Sequence, residues 1–169
     1  VKGTFFTPSY VLEHYPEAAA AIHKAGHEIA YHGILHEPER YNSREDESAK
    51  MEQAESVIER LTGRRPAGHR APHSTLHPEA FSLMRERGYL YSSNLRDCDY
   101  AYLHEAEAGE SPLVELPTDV VLDDFTYYYY SCAIEPGHRI AFTNREYINM
   151  LREEFDGVAA EGDKIMVLK

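Results

Sequence analysis

Short apolar runs alternate with amphipathic helical stretches along most of the chain, and this alternation is the strongest limit on its fold. Thr4-Phe5-Phe6 reads as a first strand. Pro16 then opens a helix that runs through Ala18 to Ala25 and closes on Gly26, because proline suits a first helical turn and glycine a left-handed cap. Residues 28–32 form the next strand candidate. A helix over residues 46–62 carries Met51, Ala54, Ile58 and Leu61 on one stripe, and Gly63 stops it. Gly68-His69-Arg70-Ala71-Pro72 is a short strand entering a turn, and Pro78 starts a helix with Phe81, Leu83 and Met84 inward, ended by Gly88. Residues 89–93 and 113–116 read as strands, with polar loop over 94–111 between them. A last helix over residues 144–160 holds Ile148, Leu151, Phe155 and Val158 in register, and residues 165–168 follow as a strand.

Such repeats imply a parallel sheet, either an open doubly wound sheet or a closed β/α barrel. No strand is followed by G-x-G-x-x-G or by a lysine-bearing phosphate loop, which lowers the nucleotide-binding reading and favours a β/α barrel. A full barrel takes about 250 residues, whereas this chain has 169. The expectation is therefore one domain over residues 1–169, truncated at both ends: Val1 leads straight into a strand, and residues 164–169 end in one. An N-terminal address would then be missing.

Charge and cysteine content narrow the partners. Lys plus Arg number 17 against 29 Asp plus Glu, a net charge of -12, which repels phosphate backbones and sets nucleic acid aside. No apolar run approaches the roughly 20 residues of a membrane span. Cys98 and Cys132 lack the spacing of a zinc knuckle or redox pair and read as two free thiols in a reducing compartment, hence a cytoplasmic setting. A homo-oligomer stays open.

In parallel β/α folds, functional groups collect at the C-terminal ends of strands. His32 with His36, Arg70, and Asp123 with Asp124 all fall at such ends. On a helical turn, residues four apart have Cβ atoms about 6 Å apart, close enough for two imidazoles to reach one cation at about 2.1 Å each. The other reading is two unrelated histidines in a chain with 10 of them. A zinc peptidase helix would carry Glu directly after the first histidine; Gly33 stands there, which excludes it. Two ligands do not complete a catalytic centre, so a carboxylate from another strand end must join them. Arg70 is placed to grip a carboxylate in a bidentate pair, or else forms a surface salt bridge. His73 and His77 stand out because they follow it. The Asp123-Asp124 pair either tunes a base or binds a cation, or is a solvated turn. The tyrosine tetrad 127–130 fits strand packing better than sugar stacking.

These residues resemble the polysaccharide deacetylases, carbohydrate esterase family 4. Gly3-Thr4-Phe5-Phe6-Thr7-Pro8 resembles the stretch after that family's first catalytic motif, and residues 25–37, with His32 and His36, resemble its metal-binding motif. Arg70-Ala71-Pro72 resembles its arginine motif, and residues 113–125 its late aspartate motif. The resemblance implies a distorted β/α barrel and a divalent metal, commonly zinc, held by Asp-His-His. It also implies an aspartate base, a late histidine acid, and hydrolysis of an N-acetyl amide on a sugar or glycan. Carried over, His32 and His36 are metal ligands, Arg70 positions the base, Asp123 or Asp124 tunes the acid, and Pro72 and His73 face substrate. The family's Asp-Asp motif would lie before Thr4 and its acid histidine after Lys169, so the 169 residues alone are expected to be inactive. Gly33 in place of the usual Ser or Thr, His73 in place of an aromatic, and the absence of Trp resemble a branch with peptidoglycan deacetylase-like and allantoinase-like members. A small amide, imide or ureide substrate is the alternative to a glycan, and a degenerate, ligand-binding barrel the third reading.

Overall fold

Strands β1 (Thr4–Thr7) and β2 (Glu28–Tyr31) pair in parallel, with Phe5 opposite Ile29 and Thr7 opposite Tyr31. They begin the sheet of a computed structural model that describes residues 1–36, 43–128 and 143–169. Contacts divide the chain into two units, Val1–Asn94 with Leu103–Glu115 and Leu95–Tyr102 with Leu116–Lys169.

In the first unit, β3 (Gly68–His69) and β4 (Tyr91–Ser92) extend the sheet in parallel. With β5 (Tyr102–Leu103) and β6 (Val114–Glu115), the order is β1-β2-β3-β4-β6-β5. This is the α/β parallel-sheet class expected from the alternation. Parallel neighbours need helical crossovers, and they are α1 (Ser9–His14), α2 (Pro16–Lys24), α3 (Arg44–Thr62) and α4 (Ala80–Glu86). Ser43 caps α3 by accepting a hydrogen bond from the Asp46 N–H, and Gly63 ends it in the left-handed region. Met51, Ala54, Val57 and Ile58 of α3 pack with Ile29, Tyr31, Leu83, Met84, Tyr89 and Leu113 in one buried cluster. The α3 stripe is thus the core face, with Val57 added and Leu61 at its margin. At Gly68 an added Cβ would run into the Tyr91 ring, so any larger residue there must displace that ring.

In the second unit, α5 (Asp124–Tyr128) is short, and α6 (Asn144–Glu161) is started by a reciprocal cap between Thr143 and Glu146. The α6 bounds match the sequence pattern, but its apolar stripe is not a core face among the described residues: Ile148 is 47% and Phe155 60% exposed.

Other expectations are corrected. The loop over 94–111 contains β5. Val120–Leu122 is a 3-10 turn, because the Asp119 side chain accepts from the Val121 N–H and curls the backbone. Residues 165–168 form no strand; Ile165 donates to Asp99 O at 2.8 Å and Lys169 to Leu122 O at 3.1 Å without continuous pairing. Helix α1, lying between Pro8 and Pro16, has no counterpart in the sequence pattern read above. Tyr129, Tyr130 and Cys132 lie outside the described residues.

Candidate metal centre

The end of β2 delivers His32, and the chain then bends without forming a helical turn. Gly33 takes φ +73°, and an added Cβ there would stand 3.3 Å from both Leu35 O and Pro72 Cγ. This corrects the helical-turn geometry expected for the histidine pair: a left-handed glycine, not i,i+4 spacing, turns His36 back toward His32. The Ser9 and Tyr10 N–H groups donate to Gly33 O and Ile34 O at 3.1 Å each, so α1 holds the bend from the side.

The two imidazoles come together, with ring centres 5.0 Å apart and planes at 58°. Two histidines bound tetrahedrally to one zinc at about 2.1 Å would hold their ring centres about 5 Å apart. His32 Nδ1 lies 2.6 Å from Arg70 O. A carbonyl only accepts, so Nδ1 carries the proton there and Nε2 keeps the lone pair. Histidines that bind metals are commonly oriented in this way by a bond to the other ring nitrogen. On spacing and donor chemistry, the pair therefore fits a divalent cation as two of its ligands. Among the described residues no group of three or more His, Cys, Asp or Glu is assembled to hold a metal by itself.

Arg70 follows β3. Its Nε donates to Ser93 O at 3.1 Å and an Nη to Ser93 Oγ at 2.7 Å, and the guanidinium lies 4.3 Å over the Phe6 ring. Both contacts fix the plane of the side chain. Pro72 is buried and opens a 3-10 turn in which His73 adopts φ 55°, ψ 16°, and Ser74 also has a positive φ of 55°. Two successive non-glycine residues in this region are uncommon and strained. The exposed His73 ring ends 4.9 Å from that of His36. His32, His36, Arg70, Pro72 and His73 are thus gathered by the ends of β2 and β3. His77, by contrast, is buried and accepts from the Glu79 N–H.

Asp123 and Asp124 belong to the second unit. Asp123 is 8% exposed, pairs with Lys169 Nζ at 2.9 Å and accepts from the Phe125 N–H at 3.1 Å. Asp124 is exposed at the start of α5. The two acids therefore occupy different surroundings.

Beneath the first unit's loops lies a buried polar group that the motif reading passed over: His69, Ser92, Asn94 and Glu115. Burial, then the charge of His32, hold the His69 pKa down to about 3. A signal was present for Glu115, which alternates with Leu113 and so shares the inward face of its strand.

A family model for polysaccharide deacetylase matches residues 1–92. The chain belongs to the polysaccharide deacetylase family. It is 33% identical over 120 residues to the peptidoglycan deacetylase-like protein FGM2 of Gibberella zeae, covering 71% of this chain and 33% of that protein. It is 28% identical over 147 residues to the peptidoglycan deacetylase of Helicobacter pylori, covering 73% of this chain and 50% of that protein. A solved Mycobacterium smegmatis structure assigned to the polysaccharide deacetylases superposes on 99% of this chain and 57% of its own, with TM-score 0.87 and 33% identity. The chain thus spans between a third and a half of the curated relatives it matches.

Proposed function

We propose that this chain provides the histidine pair and arginine loop of a metal-dependent amide hydrolase that removes an acetyl group from an N-acetylated sugar or glycan. The observation that carries this reading is the convergence of the His32 and His36 rings, with His32 Nδ1 tied to Arg70 O so that Nε2 is the nitrogen left with a lone pair. Family membership and the two peptidoglycan deacetylase relatives support the reaction class. His32 and His36 are the proposed ligands of a divalent ion, zinc by its match to imidazole donors. When bound, such an ion supplies Lewis-acid polarisation of the amide carbonyl and acidifies a water. The remaining roles belong to side chains. Arg70, held flat by Ser93 and Phe6, orients the carboxylate base. Pro72 and His73 face the substrate beside the pair. Asp123 or Asp124 tunes the acid that protonates the leaving amine.

The test is acetate release by the full-length protein from N-acetylated chito-oligosaccharide and peptidoglycan fragments, with allantoin as a parallel substrate. Acetate release that chelation abolishes and zinc restores is expected, with His32→Ala folded but lowered at least a hundredfold. Turnover of allantoin alone would replace the glycan by a ureide. Full activity in His32→Ala would remove the pair from the chemistry.

A further inference from the structure

Asn94 is 5% exposed and Glu115 fully buried. A buried amide and carboxylate are costly unless their bonds do something an apolar pair could not, and here the bonds converge on one peptide. Asn94 Oδ1 accepts the Ala71 N–H at 2.7 Å, while Nδ2 donates to His69 O at 3.1 Å. The amide therefore grips the backbone on both sides of Arg70. The Arg70 N–H is fixed as well, donating to Tyr31 O at 3.1 Å. With its flanking peptides held, the Arg70 carbonyl has one direction, and it points at His32 Nδ1, 2.6 Å away. Asn94 is itself held: its N–H donates to Glu115 Oε1 at 2.6 Å, and Nδ2 also donates to Ser92 Oγ at 2.8 Å. Glu115 Oε2 meets His104 Nε2 at 2.8 Å.

We propose that Asn94, anchored by Glu115, is a positioning residue that fixes the proton of His32 on Nδ1 through the Arg70 peptide and so presents Nε2 to the cation. The link to the cation rests on the hydrolase reading above; the placement of the proton does not.

Long-range 1H–15N spectra of the 15N-labelled full-length protein at pH 7.5, without metal, read which ring nitrogen of His32 carries the proton. Wild type is expected to show Nδ1–H; Nε2–H in wild type overturns the proposal before any variant is made. In Asn94→Ala, the Ala71 amide is expected to exchange at least tenfold faster and His32 to become a mixture of tautomers. The affinity for cobalt(II), followed by its visible absorption, should fall about tenfold, the lower end of the usual effect of losing a ligand's supporting hydrogen bond. Amides of β1 and β2 should keep their protection. Asn94→Asp retains the Oδ1 acceptor for Ala71 but loses the donor to His69 O, and is expected to keep more of the Nδ1–H form than Asn94→Ala and less than wild type. An unchanged tautomer in folded Asn94→Ala overturns the idea, as does a tautomer change matched by equal loss of protection throughout β1 and β2. Wild type with Nδ1–H but no cobalt binding would sink the metal reading and leave the positioning role standing.

Discussion

Acidification should destabilise this protein through one buried histidine. His69 is 1% exposed, with the Tyr31 ring 4.9 Å and the Tyr89 ring 6.2 Å away. Its Nδ1 faces Asn94 Nδ2 at 3.1 Å, a nitrogen that only donates, so a proton on Nδ1 would have no acceptor there. Burial first, and the nearby His32 charge second, lower its pKa from 6.5 to about 3. Between those two values the unfolded chain binds a proton that the folded chain refuses. Stability therefore rises with pH through that window, is complete above about pH 6.5, and falls as the medium is acidified below it. At about 1.4 kcal/mol per pH unit, the step from pH 8 to pH 5 removes about 2 kcal/mol, an order-of-magnitude figure. His69→Asn keeps an acceptor toward Asn94 but has no proton to gain. Urea denaturation at pH 8, 7, 6 and 5 gives the unfolding free energy of both proteins. Their difference cancels what they share, including Glu47, whose pKa burial raises, and the lowered carboxylates of Glu52 and Asp99. The wild type should lose about 2 kcal/mol more than the variant across this range. Parallel curves would refute the buried, neutral imidazole.

Two further substitutions probe the bend at Gly33 and the ion cluster around Glu55. Gly33→Ala should cost more than Gly63→Ala in chemical denaturation: both have a positive φ, but an added Cβ at Gly33 meets Leu35 O and Pro72 Cγ at 3.3 Å while Gly63 faces open space. The left-handed strain alone is about 1–2 kcal/mol, and equal losses at the two sites would refute the close approach of the His32–His36 bend to Pro72. Glu55 is a buried carboxylate that accepts from Arg87 Nε at 2.7 Å and Tyr89 OH at 3.0 Å and also pairs with Arg65. Glu55→Ala leaves Arg87 its contacts to Glu52 and Ser48 but removes the acceptor of the buried Tyr89 OH, and should cost about 1–3 kcal/mol, read as a lower urea midpoint; a loss below about 0.5 kcal/mol would show the Glu55 carboxylate to be dispensable.

His32 and His36 lie on one bend and Arg70 on the neighbouring strand end, so the histidine pair and Arg70 share the backbone hydrogen bonds between β2 and β3. A change at Arg70 that moves its backbone would therefore reach His32, whereas one confined to the guanidinium would act at Ser93 and Phe6.

Local periodicity was enough to place most elements. The stripe of Met51, Ala54 and Ile58, the capping glycine Gly63 and the apolar run ending at Tyr31 depend on neighbours three or four residues away, and they fold as the pattern requires. The approximate positions of His32 and Arg70 followed from the same logic, because strand ends are legible wherever strands are. Other features depended on partners distant in sequence. Helix α1 is held by Gly33 and Ile34, and the bend at Gly33 is shaped by Pro72. Alternation with Leu113 puts Glu115 on the inward face, but only the fold decided that Asn94 and His104 would meet its carboxylate there. The apolar stripe of α6 made the opposite point: periodicity builds a helix, but only a surface to cover it makes a core face, and Phe155 remains 60% exposed. What this sequence determined by itself is an α/β chain with a histidine pair at a strand end; the partner of His32 Nδ1 was decided by tertiary structure, because the Arg70 carbonyl that meets it lies 38 residues further along the chain and only strand pairing brings it there.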